Sequence, residues 1–97
     1  MSELIFEWDE QKAQKNEQKH GISFKEAQTA FEDENARLTF DPDHSQDEER
    51  YILLGMSAVL RILVVCHVYR QNDELVRIIS ARRANKREKQ QYGRFLS

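Results

Sequence analysis

The spacing of apolar positions changes along this chain, and the changes mark out its elements. Leu4-Ile5-Phe6-Glu7-Trp8 is short, aromatic-rich and extended in character, which predicts a first strand. Asp9 is placed to N-cap a helix of about eleven residues that Gly21 ends, because glycine tolerates positive φ. That helix is poor in apolar residues. Its one coherent stripe is Ala13, Asn16 and His20, and a polar inner stripe either rests loosely on the surface or carries side chains toward a site. A second helix is announced by Ser23-Phe24-Lys25-Glu26, a capping-box pattern, with Ile22 and Ala27 at the hydrophobic-staple positions. Phe24, Ala27, Ala30 and Phe31 give it one apolar face, and Glu32-Asp33-Glu34-Asn35 closes it.

From Ala36 the period drops to two. Ala36, Leu38 and Phe40 alternate with Arg37 and Thr39, predicting a second strand, and the turn-forming run from Asp41 to Asp47 follows it. Tyr51 to Met56, Arg61 to Arg70 and Leu75 to Arg82 read as three more strands joined by short loops, hence an antiparallel meander. Asn85 caps a closing helix with Glu88 as its capping-box partner and Tyr92, Phe95 and Leu96 on its inner face. The predicted order is βααββββα in one domain spanning residues 1–97, an α+β fold with an antiparallel sheet and its helices on one face. Val64, Val65, Ile78, Ile79, Phe24 and Phe31 are the expected centre of the core.

Composition narrows the function classes. With 97 residues, 39% hydrophobic and 33% charged, the chain is a small globular domain without room for a deep organic-cofactor pocket. The longest apolar run, Ile62 to Cys66, is far below the roughly 18 to 20 residues of a membrane span. The opening Met-Ser-Glu lacks a basic segment followed by an apolar one, so a cytoplasmic protein is expected. Only three glycines are present, too few and too scattered for a phosphate-cradling loop. Cys66 is the sole cysteine, so neither an internal disulfide nor a thiolate metal cluster can form, and a buried small hydrophobe is expected.

The net charge of −2 conceals a division. Residues 1–49 hold 14 acids against 5 Lys and Arg, a charge of −9, whereas residues 50–97 hold 3 acids against 10, a charge of +7. Arg82, Arg83, Lys86 and Arg87 crowd the junction between the last strand and the last helix. Guanidinium forks and helix-terminal amides both suit phosphate, so RNA, DNA or an acidic protein is the expected partner. Three histidines are candidates for proton transfer. His20 stands in Lys19-His20-Gly21, where a C-terminal capping role competes with a chemical one. His44 lies with Asp41 and Asp43 in a turn whose spacing matches no defined metal loop. His67 is mid-strand, either satisfied in the core or projecting from the open face. A basic patch, a histidine or two and a tyrosine would suffice for RNA cleavage without a metal: a base for the 2′-hydroxyl, an acid for the 5′-oxygen and cations for the phosphorane.

These residues resemble a known family, the BrnT-type toxins of bacterial type II toxin–antitoxin systems. The matching stretches are Phe6-Glu7-Trp8-Asp9, Lys12, Asn16, Lys19-His20-Gly21, Ser23-Phe24, Glu26-Ala27, Phe31, Asp43-His44, Glu49-Arg50, Gly55, Leu63-Val64-Val65, Arg70, Arg77-Ile78-Ile79-Ser80-Ala81-Arg82-Arg83-Ala84, Glu88 and Tyr92. The resemblance implies a RelE-like fold and an endoribonuclease toxin that arrests translation. It also implies neutralisation by a BrnA-like antitoxin with a ribbon-helix-helix DNA-binding part, and binding of operator DNA by the complex. It places the active surface at Arg70, Arg77, Arg82 and Tyr92, with Lys19 and His20 as additions from the first helix; we expect Arg82 and Arg77 at the phosphate and His20 or Tyr92 at proton transfer. Arg70 and Lys19 then position the RNA backbone, with Arg83, Lys86 and Arg87 extending the RNA surface. No metal or other cofactor is expected. Leu60 departs from the family's usual glycine before the fourth strand, which is expected to alter that hairpin rather than the chemistry. The alternative is a non-catalytic module that docks a partner or promoter DNA. The Asn16/His20 stripe separates the two: facing the arginines it favours catalysis, and on the opposite side it favours binding.

Overall fold

The computed structural model describes residues 4–44 and 46–93. Its elements run β1 (Ile5–Glu7), α1 (Glu10–His20), α2 (Phe24–Thr29), β2 (Arg37–Asp41), β3 (Arg50–Met56), β4 (Ile62–Arg70), β5 (Leu75–Arg83) and α3 (Lys86–Gly93). Two 3-10 turns that the predicted order βααββββα leaves out, Ala30–Glu32 and Pro42–His44, follow α2 and β2. The strands form one sheet in the order β1-β5-β4-β3-β2. The meander is antiparallel, but β1 lies parallel to β5, with Ile5 opposite Leu75 and Glu7 opposite Arg77. The sheet is therefore mixed, not antiparallel throughout. A strand that reaches its neighbour through two helices and three further strands can arrive in either direction, so no hairpin constrained β1.

The helices also divide between the faces, a second departure from expectation. Ile22, Phe24, Ala27 and Ala30 of the α1–α2 layer pack on Leu53, Leu63, Val65, Val76, Ile78 and Ala81. The other parity of the same strands, Leu54 and Val64 with Ile52, Met56 and Ile62, packs against Ala84 and Tyr92 of the α3 side. Alternation makes this division unavoidable once both parities of β3 and β4 are apolar. Ile79 and Phe31 are only partly buried, and Val64 belongs to the second cluster. Phe95 and Leu96, the remainder of the expected inner face of α3, lie outside the described residues.

Local sequence accounts for the element ends. Asp9 Oδ1 accepts from the Gln11 and Lys12 amides at the start of α1, and Gly21 closes it at φ +71°. Ser23 Oγ accepts from the Glu26 amide. Asn85 and Glu88 form the full reciprocal box, each bond 2.8 Å. Leu60, in the β3–β4 hairpin, sits at φ +65°, the region a glycine occupies without cost. Gly55 answers to close approach: a Cβ there would stand 3.0 Å from Ala30 O and from Ala36 Cβ.

Candidate functional site

Strand parity collects arginines on the face that carries α3. Arg37 is opposite Leu54, Leu54 opposite Val64, and Val64 opposite Arg82, so all four project to one side. Arg50 shares the parity of Ile52 and Leu54. Arg70 and Arg77 lie opposite the parity of Tyr69 and Val76, which pack into the α1–α2 core. The face thus presents Arg37, Arg50, Arg70, Arg77 and Arg82. An irregularity in pairing between Cys66 and His67 separates its two ends. Arg77 and Arg82 are five residues apart, roughly 16 Å along the strand at about 3.3 Å per residue, so they cannot hold one phosphate together.

Most of these cations are paired. Arg82 grips Glu88 as a fork, Nη1 to Oε1 and Nη2 to Oε2 each at 2.8 Å, and Glu88 simultaneously caps α3. The Arg82 bond is the main cause holding Glu88 below the usual carboxylate range. Arg77 donates to Glu7 at 2.9 Å and Arg70 to Glu48 at 2.8 Å. On the other face Arg61 pairs with Glu26, which also accepts from Ser57 Oγ. Glu26 therefore leaves the capping box half made. Three of these four pairs join the acidic half of the sequence to the basic half. Part of the charge division is accordingly internal complementarity, not an address for a partner.

Between the strands and the turn after β2 lies a cavity of about 190 Å³ lined by Asp41, His44, Arg50, Cys66, Ser80 and Arg82 among others. It is smaller than the roughly 300–1,000 Å³ of small-molecule pockets. Such a hollow suits one charged group of a larger ligand better than a whole cofactor. His44 Nδ1 meets Asp41 Oδ2 at 2.8 Å at its rim. Burial pushes the Cys66 thiol up, leaving a protonated wall, not a thiolate. Among the described residues no group of three His, Cys, Asp or Glu is arranged to hold a metal ion. No helix among them is long and apolar enough to cross a membrane.

The expected site residues do not all meet here. Arg82 stands at the centre, and the exposed Lys86 and Arg87 flank it on the first turn of α3. Arg70 and Arg77 share the face at its far end. Arg83 is opposite Leu63 and so belongs to the other face. Lys19 and His20 end α1, which packs on that other face through Asn16 and Ala13. Asn16 itself is spent on the backbone: its amide donates to Ile22 O at 3.0 Å and Ala81 O at 2.8 Å and accepts from Ala81 N at 3.1 Å. The Asn16/His20 stripe thus lies opposite Arg82, the placement that favours the non-catalytic alternative over catalysis through His20. Tyr92 is 3% exposed, and its hydroxyl donates to Asp33 Oδ2 at 2.6 Å. Burial and the adjacent carboxylate push it up to about 12. His67 is fully buried, and burial lowers it to about 4 although its Nδ1 contacts Val65 O. Arg37 and Arg50 are not among the expected site residues, and Asp41 and His44 enter the expectation only as a turn that matches no metal loop and, for His44, as one of three proton-transfer candidates. The signal was there: Arg37 alternates with Leu38 and Phe40, and Asp41 and His44 are three apart across Pro42.

The sequence pattern of a family described as "Ribonuclease toxin, BrnT, of type II toxin-antitoxin system" matches residues 8–88. The 1.1 Å crystal structure of the Brucella abortus ribonuclease toxin BrnT is similar in fold, with a TM-score of 0.61 and 27% sequence identity. The similarity covers 89% of this chain and 100% of that one. Comparison with curated proteins gives no match.

Proposed function

The chain belongs to the BrnT family of ribonuclease toxins from type II toxin–antitoxin systems, and from that premise we propose that it cleaves RNA on the α3 face of its sheet without a metal and thereby arrests translation. The observation that carries this reading is the parity of the strands, which puts Arg37, Arg50 and Arg82 on one face of the sheet, with Arg50 and Arg82 lining one shallow cavity. A flat cationic face with a small hollow fits a polymer bound by its backbone, one phosphate seated in the hollow. Arg82 and Arg50 are assigned to the scissile phosphate. Arg70, Arg77, Lys86 and Arg87 are assigned to the flanking backbone. Lys19, Arg83 and His20 face away, and Tyr92 is engaged with Asp33, so these four are left out of the RNA surface. A BrnA-like antitoxin with a ribbon-helix-helix part is the proposed partner. It covers the arginine face, and the complex binds operator DNA.

Expression of the chain alone in bacteria tests this. Growth arrest with fragmented RNA is expected from the wild type, and relief from Arg82→Ala or from co-expressed antitoxin. Purified chain should cleave RNA equally with and without EDTA. Unimpaired growth and intact RNA from the wild-type chain would sink the toxin reading and leave the non-catalytic one.

A further inference from the structure

We propose that His44, oriented by Asp41, is the proton-transfer residue of this ribonuclease, an assignment that rests on the RNA-cleaving reading of the arginine face. Of the three histidines, His67 is fully enclosed and His20 ends the helix on the opposite face. His44 alone lines the hollow that also holds Arg50 and Arg82. Its side chain is 67% exposed, while the Asp41 carboxylate that it meets is 11% exposed. An accessible imidazole backed by a shielded carboxylate is the base–orienter arrangement of nucleophilic and general-base catalysis.

The backbone creates the pair. Asp41 ends β2, and its cross-strand neighbour is Arg50. Pro42 then starts a single 3-10 turn through His44. In such a turn residues three apart eclipse, which stacks the ring of His44 over the carboxylate of Asp41. With Nδ1 at 2.8 Å from Oδ2, the carboxylate selects the tautomer with its proton on Nδ1. The lone pair is then on Nε2, which has no partner among the described residues.

In the proposed step Nε2 takes the proton of a ribose 2′-hydroxyl as O2′ forms a bond to phosphorus. The bond from phosphorus to O5′ breaks, leaving a 2′,3′-cyclic phosphate on one fragment and a 5′-hydroxyl on the other. O5′ takes its proton from a solvent water, and the imidazolium of His44 returns its proton to the hydroxide left behind. Arg50 and Arg82 stabilise the charge that builds on the phosphorane oxygens. Asp41 is a positioning residue: it holds the ring with Nε2 turned to the substrate.

The test uses the purified full-length chain, a short RNA and its 2′-O-methyl analogue, which binds but has no attacking hydroxyl. Single-turnover cleavage by His44→Gln should fall by roughly 10²- to 10⁴-fold, with affinity for the analogue unchanged. Asp41→Asn should slow single-turnover cleavage while leaving affinity for the analogue unchanged, a split that lost folding would not produce. Added imidazole should restore part of the activity of His44→Ala. A His44→Gln variant that cleaves at the wild-type rate overturns the assignment while leaving the ribonuclease reading intact. So does a variant whose analogue binding falls as much as its cleavage. Wild-type chain that binds RNA without cleaving it overturns both.

Discussion

Asn16 offers the sharpest test of how the two layers are held. Among the described residues the outer edge of β5 has no neighbouring strand beyond the segment paired with β1, and Asn16 supplies the missing donor and acceptor to Ala81. One amide therefore caps a sheet edge and ties it to Ile22 at the start of the next helix. Replacement by aspartate keeps the shape but turns the donating nitrogen into an oxygen facing two carbonyl oxygens. Two buried hydrogen bonds are lost, two carbonyls are left unsatisfied and a carboxylate is desolvated, for a total of about 3–5 kcal/mol. At about 4–8 °C per kcal/mol for a domain of this size, the melting temperature should fall by more than about 12 °C. Urea unfolding followed by circular dichroism at pH 7 measures the loss. Near pH 4 the introduced carboxyl regains a proton and can donate once, so the gap from wild type should narrow. A loss below about 1 kcal/mol, or a gap indifferent to pH, would refute the clamp. Cleavage per folded molecule should be untouched.

Other expectations follow from the same contacts. His67 is about 4 when folded against 6.5 when free, so the unfolded chain binds the extra proton between those values. Its contribution is complete above pH 6.5 and is lost as pH falls toward 4, roughly 2 kcal/mol of it between pH 7 and 5; His67→Phe should flatten that slope in urea titrations. Leu60→Gly relieves a left-handed leucine that is 78% exposed, and should raise stability by about 0.5–1 kcal/mol after the greater freedom of unfolded glycine is subtracted. Tyr92→Phe removes one of the donors that hold Asp33, at a cost of about 1–2 kcal/mol, and RNA cleavage should remain at the wild-type rate.

Much of the fold was legible because local signals agreed. Asp9, Gly21, Ser23 and Asn85 all cap where side-chain chemistry places them, and the period-two stretches became strands within a residue or two. What was not legible is non-local. Nothing in Ile5-Phe6-Glu7 tells a parallel neighbour from an antiparallel one. Doubly apolar strands such as Leu53-Leu54 and Leu63-Val64-Val65 reveal two covered faces only when both parities are counted, which moves α3 across the sheet. The site suffered from the same limit. The basic residues were read as a run in sequence, whereas the sheet selects by parity and parts Arg82 from Arg83. His20 stands out through its neighbours in sequence, whereas His44 is one candidate among three in an acidic turn whose meaning depends on what lies across the strands.

The central claim is that RNA is cleaved on one face of the sheet and not on the other. The most direct measurement is cleavage of a defined RNA by two double variants, Arg50→Ala with Arg82→Ala on the α3 face, and Lys19→Ala with Arg83→Ala on the α1 face. Loss of cleavage by roughly 10²-fold or more in the first, with wild-type rates in the second, is the expected result. Loss confined to the Lys19 and Arg83 pair would contradict it and return the chemistry to the helix face where His20 stands.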